Sequence, residues 1–167
     1  MSVAVRSTQA ASTPALRVLT MAGVDYTVHD FEHDPSTRRY GSEAADKLGV
    51  DGHRVFKTLF ILVDGEPVNA LVPVTGQLDL KALAAARGGK KAQLAGIAET
   101  ERRTGYVTGG VSPFGQRSTT PVVVDRSAED HDTIYVSAGK RGLEIEIRPG
   151  DLVMLANAQV AKIATLD

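Results

Sequence analysis

The sequence of this 167-residue chain predicts an α+β fold, in which a curved mixed sheet or partly closed barrel is flanked by helices. Strand-like segments outnumber helical ones, and the two do not alternate one for one as they do in doubly wound nucleotide-binding folds. Residues 55–63 form an apolar run typical of a strand that is buried on both faces. The hairpin turn signal Asp64-Gly65 follows, so residues 68–74 are the expected return strand.

The helices are predicted from capping residues and glycine stops. Thr13 followed by Pro14 is a favourable helix start, and Gly23 supplies the stop. Ser42 and Asp79 are expected to cap two further helices. With two short helices later in the chain, the expected helices cover residues 14–22, 43–48, 80–87, 97–104 and 152–156. The remaining expected strands cover residues 26–31, 121–125, 133–136, 143–147 and 159–163.

The composition excludes several classes of function. Cysteine is absent, which excludes a disulfide framework, a thiolate nucleophile and a cysteine metal site. No metal centre is expected from the four histidines, because they are scattered along the chain: His29, His33, His53 and His131. Neither the phosphate-loop motif nor the dinucleotide fingerprint is present, so no cofactor is expected.

The organisation of the chain is expected to be simple. Residues 1–12 are small and polar and lack the apolar segment of a secretion signal, so we expect a flexible tail. Residues 13–167 are then one domain. The longest apolar run, residues 59–63, is far too short to cross a bilayer, which predicts a cytoplasmic protein with no membrane partner. A net charge of −1 gives no overall attraction to nucleic acid. Contact with RNA would depend on local basic pairs, namely Arg38-Arg39, Lys90-Lys91, Arg102-Arg103 and Lys140-Arg141.

Lys57 is the first candidate functional residue, because it interrupts the apolar strand over residues 55–63. On an ideal strand it shares one face with Leu59 and Ile61. Removal of an unpaired ammonium group from water is costly, so such a lysine needs a partner or a route to solvent along its own stem. The sequence leaves both readings open: an exposed strand end, or a functional lysine that faces a ligand or the carboxylate of Glu144 or Glu146.

Two glycine-rich segments are candidate binding loops. In residues 109–115, Gly109 and Gly110 allow close approach of the backbone, and Ser112-Pro113 fixes the next turn. Free N–H groups there could hold a carbonyl oxygen or an oxyanion, although a ligand-free glycine hairpin is the alternative. In residues 137–142, Ser137 is expected to end a strand before a Lys-Arg tip flanked by glycines. No G-x-S-x-G elbow is present, so a serine-hydrolase mechanism is not expected.

Taken together, these segments resemble the YbaK/ProX family of aminoacyl-tRNA deacylases, and within it the Cys-tRNA(Pro) deacylase branch. The similarity spans residues 13–164. The order and spacing of the matching motifs are specific together, whereas each motif alone is a weak signal. The motifs are Thr13-Pro14-Ala15, Glu32-His33-Asp34-Pro35, Phe56-Lys57-Thr58-Leu59, Gly76-Gln77-Leu78-Asp79-Leu80, Thr104-Gly105-Tyr106, residues 109–115 and Gly139-Lys140-Arg141-Gly142-Leu143.

The resemblance implies a barrel-like mixed sheet and hydrolysis of mischarged tRNA(Pro), in trans beside prolyl-tRNA synthetase. It implies that Lys57 is the key functional residue. The substrate-binding residues that we predict with it are Phe31, Thr58, Gly109, Gly110, Ser112, Pro113, Ser137, Gly139 and Glu144. The chain departs from the family pattern at two of these positions. Phe31 stands where the best-known relatives carry tyrosine, and Glu144 stands where they carry aspartate.

The resemblance also implies a mechanism. In the cysteine branch, the thiol of the substrate attacks its own ester carbonyl and forms a cyclic thioester, which releases the tRNA. Lys57 would orient the aminoacyl group or the terminal ribose and stabilise negative charge. The alternatives are an Ala-tRNA(Pro) deacylase that uses attack by water, and a non-catalytic module that binds aminoacyl-tRNA or prolyl-tRNA synthetase.

Overall fold

The computed structural model describes residues 13–166, so the predicted tail at residues 1–12 lies outside the described residues. Five helices are present there: α1 (Pro14–Ala22), α2 (Tyr40–Leu48), α3 (Leu80–Ala86), α4 (Ile97–Thr104) and α5 (Pro149–Ala156). The ten strands are β1 (Tyr26–Asp30), β2 (Phe56–Val63), β3 (Glu66–Pro73), β4 (Gly76–Leu78), β5 (Ala92–Leu94), β6 (Val122–Asp125), β7 (Ile134–Lys140), β8 (Leu143–Ile147), β9 (Gln159–Ala161) and β10 (Ala164–Leu166). The predicted α+β class is confirmed.

The strands form two main sheets and one small pair. The larger sheet has the order β5-β2-β3-β6-β9, with parallel pairing between β3, β6 and β9 and antiparallel pairing elsewhere. The second sheet has the order β1-β8-β7 and is antiparallel. A parallel bridge between Val55 and Tyr135 joins the two sheets, next to the start of β2. The small pair is β10-β4. The combined sheet is therefore mixed and curves around a space between β2 and β7.

The core lies on both sides of the larger sheet and is mainly aliphatic. One cluster packs α1 and α5 against the second sheet and includes Leu16, Ile145 and Leu152, each at most 1% exposed. A second cluster packs α3 on the outer face, where Leu83 contacts the buried side of β2 and β3. Burial of this apolar surface is the main source of stability.

Most helix ends agree with the capping prediction. The Thr13 hydroxyl accepts a hydrogen bond from Leu16 N at 3.2 Å, and the Asp79 carboxylate accepts one from Ala82 N at 3.0 Å. Gly23 ends α1 with φ at 74°, in the left-handed region that favours glycine. The predicted Ser42 cap is wrong, because α2 begins at Tyr40 and Arg39 occupies the cap position without a side-chain bond.

Two other boundaries differ from the prediction by three residues or more. Helix α5 begins at Pro149 and not at residue 152, which fits the preference of proline for the first turn. Strand β7 continues past Ser137 to Lys140 through an irregularity in its pairing with β8. Three strands of three residues each, β4, β5 and β10, were not predicted, because so short a segment carries almost no periodic signal.

Candidate active site

A pocket of about 340 Å³ opens between β2 and the second sheet. The central part of its wall is the first half of β2, which is fixed by continuous antiparallel pairing with β3. The start of α2, the turn before α4, and single residues of β7 and β8 complete the wall. The lining residues are Arg38–Ser42, Val55–Phe60, Val74, Leu94, Ala95, Ile97, Thr100, Thr108, Gly109, Val111, Ser137 and Glu144.

Lys57 is half-buried in this wall. The regular pairing of β2 places it opposite Val72 and on the same face as Leu59 and Ile61, as the alternation predicted. Burial lowers the pKa of the Lys57 amine, because the charged form loses hydration. No carboxylate within residues 13–166 forms an ion pair with Lys57. The amine is therefore a poorly solvated donor that faces the pocket without a protein counter-ion.

Glu144 lies in the same pocket and is 7% exposed. It stands in β8 between two cross-strand neighbours, His29 of β1 and Ser137 of β7. Its carboxyl forms no hydrogen bond or ion pair within residues 13–166, and burial raises the pKa of Glu144 to about 8. A carboxyl with this pKa is mostly protonated at neutral pH, so it can donate a hydrogen bond and carries little charge.

The predicted pairing of Lys57 with a glutamate is therefore absent from the structure. Glu144 shares the pocket with Lys57 but does not form an ion pair with it. Glu146 is held elsewhere, by the hydroxyl of Thr133, the guanidinium of Arg54 and the ring of His29. The pocket thus contains an unpaired ammonium group and an unpaired carboxyl, both partly or fully removed from water.

Gly109 brings its backbone to the pocket wall. Its φ is 86°, and a Cβ at this position would lie 2.5 Å from the Tyr40 ring, so only glycine fits without displacement of that ring. The Gly109 N–H has no hydrogen-bond acceptor within the described part of the chain. By contrast, Gly110 N donates to the carbonyl of Val107 at 2.8 Å. The expected run of consecutive free N–H groups is therefore interrupted, because the Gly110 N–H already has an acceptor.

Of the predicted site residues, five line the pocket: Lys57, Thr58, Gly109, Ser137 and Glu144. The Thr58 hydroxyl is a buried oxygen with no hydrogen-bond partner in residues 13–166. The Ser137 hydroxyl accepts a hydrogen bond from Gly139 N at 3.1 Å. These two oxygens therefore differ, since the first forms no hydrogen bond within residues 13–166 and the second already accepts one.

The other five predicted residues lie outside the lining of the pocket: Phe31, Gly110, Ser112, Pro113 and Gly139. Ser112 is completely buried, and its hydroxyl accepts a hydrogen bond from Phe114 N. Gly139 has a φ of 100° and packs against the Tyr106 ring, where a Cβ would lie 2.6 Å from a ring carbon. A direct role in substrate binding stays a prediction for these five residues.

Sequence reasoning missed the start of α2 and the turn before α4. Arg38 and Arg39 were noted only as a basic pair, and Tyr40 was not singled out, although all three line the pocket. Arg141 stacks on the Tyr40 ring, with its guanidinium carbon 4.8 Å from the ring centre. Leu94 and Ile97 also line the pocket, and both side chains are exposed. Nothing in the sequence pattern distinguishes these two residues as part of a site.

Residues 13–166 hold no group of three or more His, Asp or Glu side chains with the geometry to bind a metal ion. None of their helices is long and apolar enough to span a membrane.

The aminoacyl-tRNA editing domain family matches residues 34–155, which include β2, both glycine-rich segments and Glu144. The match covers most of the chain, so the chain belongs to this family. The assignment agrees with the resemblance inferred from the sequence motifs.

Individual relatives add detail. The chain is 36% identical over 154 residues to an Enterococcus faecalis protein named "Putative Cys-tRNA(Pro)/Cys-tRNA(Cys) deacylase EbsC", covering 92% of this chain and 93% of that protein. It is 31% identical over 109 residues to the Escherichia coli multifunctional Ser/Thr-tRNA deacylase ProXp-y, covering 62% of this chain and 65% of that protein. It is also 32% identical over 104 residues to a proline–tRNA ligase of Maridesulfovibrio salexigens, covering 60% of this chain but only 17% of the ligase.

A solved structure supports the fold. A crystal structure described as "a putative trans-editing enzyme for prolyl tRNA synthetase" superposes with a TM-score of 0.82, covering 96% of this chain and 99% of that one. The two sequences are 24% identical, so this likeness concerns the fold alone.

Proposed function

We propose that this protein hydrolyses mischarged Cys-tRNA(Pro) in trans, beside prolyl-tRNA synthetase. The coarser part of this statement is carried by family membership and by the deacylase relatives: the chain is an aminoacyl-tRNA deacylase, and therefore an ester hydrolase. The preference for cysteine is supported by the Enterococcus faecalis relative, which covers nearly the whole chain. A cytoplasmic location remains a prediction from the sequence.

The observation that carries the proposal is the unpaired amine of Lys57, half-buried in the pocket that also holds Gly109 and Glu144. An ammonium group without a counter-ion in a poorly hydrated site interacts strongly with an anionic or polar ligand. Attack on an ester produces negative charge on the carbonyl oxygen. Stabilisation of that charge by a cation and a free N–H group is a common source of rate enhancement.

Discrimination against cysteine needs a second site for a physical reason. Cysteine and proline are similar in size, so a synthetase pocket that admits proline rejects cysteine only weakly. An editing pocket can instead use the chemistry of the thiol, which has an ordinary pKa of about 8.5 and is a strong nucleophile as the thiolate. This chain has no cysteine of its own, so any thiol in the reaction belongs to the substrate.

In the proposed reaction, the substrate sulfur forms a bond to its own ester carbonyl carbon. The bond between that carbon and the ribose oxygen then breaks, and the thiol proton passes to the ribose oxygen. The products are a cyclic thioester, which water later opens to cysteine, and free tRNA. Lys57 and the Gly109 N–H stabilise the oxyanion, and the pocket holds the sulfur close to the carbonyl. A protonated Glu144 adds a donor without repelling the thiolate.

Two other substrates are alternatives. An Ala-tRNA(Pro) deacylase would use water as nucleophile and would not depend on a thiol. The Escherichia coli relative, named for Ser and Thr substrates, favours a broader deacylase that accepts hydroxyl-bearing amino acids. A module that only binds aminoacyl-tRNA or the synthetase would show binding without turnover.

The test is a side-by-side assay of Cys-, Ser-, Ala- and Pro-tRNA(Pro), with and without prolyl-tRNA synthetase. We expect cysteine to be released fastest, serine to be released at least ten-fold more slowly, and proline to be retained. Lys57→Ala should reduce the kcat/KM for Cys-tRNA(Pro) by at least 100-fold, and the exposed Lys162→Ala is the matched control. Equal rates for cysteine and serine would refute thiol assistance, and full activity of Lys57→Ala would remove the lysine from the mechanism.

A further inference from the structure

Two large apolar side chains are exposed at the pocket mouth. Leu94 ends β5 and Ile97 begins α4, and they are 60% and 67% exposed. The turn between them is fixed on β2, because Ala95 N donates to the carbonyl of Phe60 at 3.1 Å. We call Leu94 and Ile97 the apolar lip. Apolar surface held in water at the mouth of a binding pocket is favourable to cover, so the lip suits a ligand group with an apolar face.

A second part of the mouth is cationic. Arg38 and Arg39 are exposed, line the pocket and directly precede α2. The Arg38 guanidinium donates to the carbonyls of Pro35 and Thr37, both at 3.2 Å, and these bonds leave its charge uncompensated. Neither arginine forms an ion pair with a carboxylate in the described part of the chain. We call this pair the basic rim, and its charge favours an anionic group.

The lip and the rim lie at different ends of one stretch of β2. The lip is tied to Phe60, whereas the rim lies near Val55. The start of α2 packs on Val74, since a Cβ at Gly41 would be 2.3 Å from its side chain, and Val74 N donates to the Val55 carbonyl. Five residues of strand separate the two ends, about 17 Å at about 3.3 Å per residue. Lys57 lies between them.

This arrangement matches the part of the substrate that must remain outside the pocket. The amino acid of an aminoacyl-tRNA is esterified to the ribose of the terminal adenosine. With the ester next to Lys57, that ribose lies at the mouth, and its base and phosphates leave in different directions. The base has an apolar face, and the phosphates are anions.

We propose that the apolar lip binds the adenine of the 3′-terminal nucleotide and that the basic rim binds the phosphates that precede it. This proposal rests on the proposed function and names how that substrate is held. Packing of a base on side chains is sequence-tolerant and stabilises binding modestly, and contacts with phosphate add a salt-dependent attraction. The mouth therefore favours an aminoacyl nucleotide over a simple amino-acid ester.

The experiment compares three esters of the same amino acid: the aminoacyl-tRNA, the ester of adenosine without a 5′-phosphate, and the methyl ester. For the double variant Arg38→Ala/Arg39→Ala we expect a loss of at least ten-fold in kcat/KM on the tRNA and less than two-fold on the adenosine ester. The salt dependence on tRNA should become shallower by about 1.4 in the log–log slope, since two phosphate contacts are lost.

For Leu94→Ser/Ile97→Ser we expect a loss of at least five-fold on both the tRNA and the adenosine ester, and none on the methyl ester. The matched controls are Arg126→Ala/Lys162→Ala for charge, and Met21→Ser, which changes an 88% exposed apolar side chain away from the pocket. Equal losses from the arginine variant on the tRNA and the adenosine ester would overturn the phosphate contact. An unchanged rate of the lip variant on the adenosine ester would overturn the base contact.

A binding measurement separates this proposal from the proposed function. A 5′-phosphorylated CCA trinucleotide carries no ester, and its titration can be followed through the amide spectrum of the protein. Shifts of amide signals at both the apolar lip and the basic rim, each lost in the corresponding variant, would support the mouth assignment. That result would hold even if the protein hydrolysed no aminoacyl-tRNA, and the absence of hydrolysis would refute the proposed function alone. Deacylation by the wild type with no effect of either set of variants would refute the mouth assignment alone.

Discussion

Glu144 and Glu146 lie two residues apart on one face of β8, and their surroundings are opposite. Glu146 accepts hydrogen bonds from Thr133 at 2.5 Å and from His29 at 2.9 Å, and it pairs with Arg54 at 3.3 Å. Burial acts to raise its pKa, but these partners bring the pKa below its ordinary value. Glu144 has no such partner, and burial raises its pKa to about 8.

The contrast separates charged groups that stabilise the fold from groups that the proposed site leaves without a partner. The Glu146 cluster ties β1, β7 and β8 to the segment that precedes β2, so its charges satisfy one another. In the pocket, Lys57 and Glu144 remain unsatisfied in the folded state, which costs stability. Ionisable groups that are buried without a partner are typical of a site that is completed by a ligand.

The largest expected effect comes from Lys57→Met. We expect kcat/KM for the preferred aminoacyl-tRNA to fall by at least 100-fold, since the cation at the ester is lost. Stability should stay equal or rise by up to about 1 kcal/mol, because an apolar side chain of similar length replaces a half-buried ammonium group. Urea unfolding beside the deacylation assay checks both. A loss of stability of several kcal/mol would show that Lys57 stabilises the fold, as Glu146 does.

The second test exchanges each glutamate for glutamine and follows stability with pH. The folded pKa of Glu144 is about 8, above its ordinary value of 4.5, so its carboxyl destabilises the protein progressively as the pH rises from 4.5 to 8. Glu144→Gln should therefore stabilise the protein on the order of a few kcal/mol at pH 8 and have little effect at pH 4.5.

Glu146→Gln should behave in the opposite way. Its folded pKa is lowered, so its stabilising contribution is present above pH 4.5 and is lost as the pH falls through the folded pKa. We expect a cost of about 1–3 kcal/mol at neutral pH, because three donors lose a charged acceptor. Urea unfolding at three pH values checks both variants. Parallel pH profiles for the two substitutions would contradict the contrast.

Gly109→Ala tests the glycine-rich part of the pocket wall. The added Cβ would lie 2.5 Å from the Tyr40 ring, and φ at 86° disfavours alanine, so we expect a cost of about 1–3 kcal/mol. Displacement of Tyr40 should also reduce kcat/KM. Gly88→Ala shares the positive φ but meets no atom within 4 Å, so the difference in unfolding free energy between the two variants isolates the contact with Tyr40.

The smallest effect is expected for Thr58→Val. The Thr58 hydroxyl has no partner in residues 13–166, so its replacement by a methyl group should leave stability unchanged or raise it by about 0.5–1 kcal/mol. If the hydroxyl binds substrate, kcat/KM falls by three- to ten-fold. An unchanged kcat/KM would show that this oxygen does not contact the substrate.

Local chemistry explains which parts of the fold were predictable. Thr13 and Asp79 are helix caps whose side chains bond within the next turn, so the sequence alone locates α1 and α3. Ser42 has the same chemistry but lies inside α2. The Glu43 carboxylate binds Asp34 N and the His33 ring and fixes the preceding loop, so that the helix begins earlier. That contact joins residues nine and ten apart, and no capping pattern predicts it.

The site was predictable to a similar extent. Lys57 was identifiable because a charge among aliphatic residues contradicts the local pattern, and glycine runs mark the loop at Gly109. Arg38 and Arg39 were not distinguishable from ordinary surface charges, and Ile97 resembles a core residue of an amphipathic helix. Only the pairing of β5 with β2 brings the apolar lip to the pocket.

The bridge between Val55 and Tyr135 has a consequence for synthesis on the ribosome. The pocket unites Arg38, early in the chain, with Glu144, near its end, and the bridge joins the sheet that contains β2 to the sheet that contains Glu144. A growing chain therefore exposes β2 long before the opposite wall exists. Catalytic competence should arise abruptly, once the last strands have left the exit tunnel, so that no nascent fragment hydrolyses the charged tRNAs that surround it.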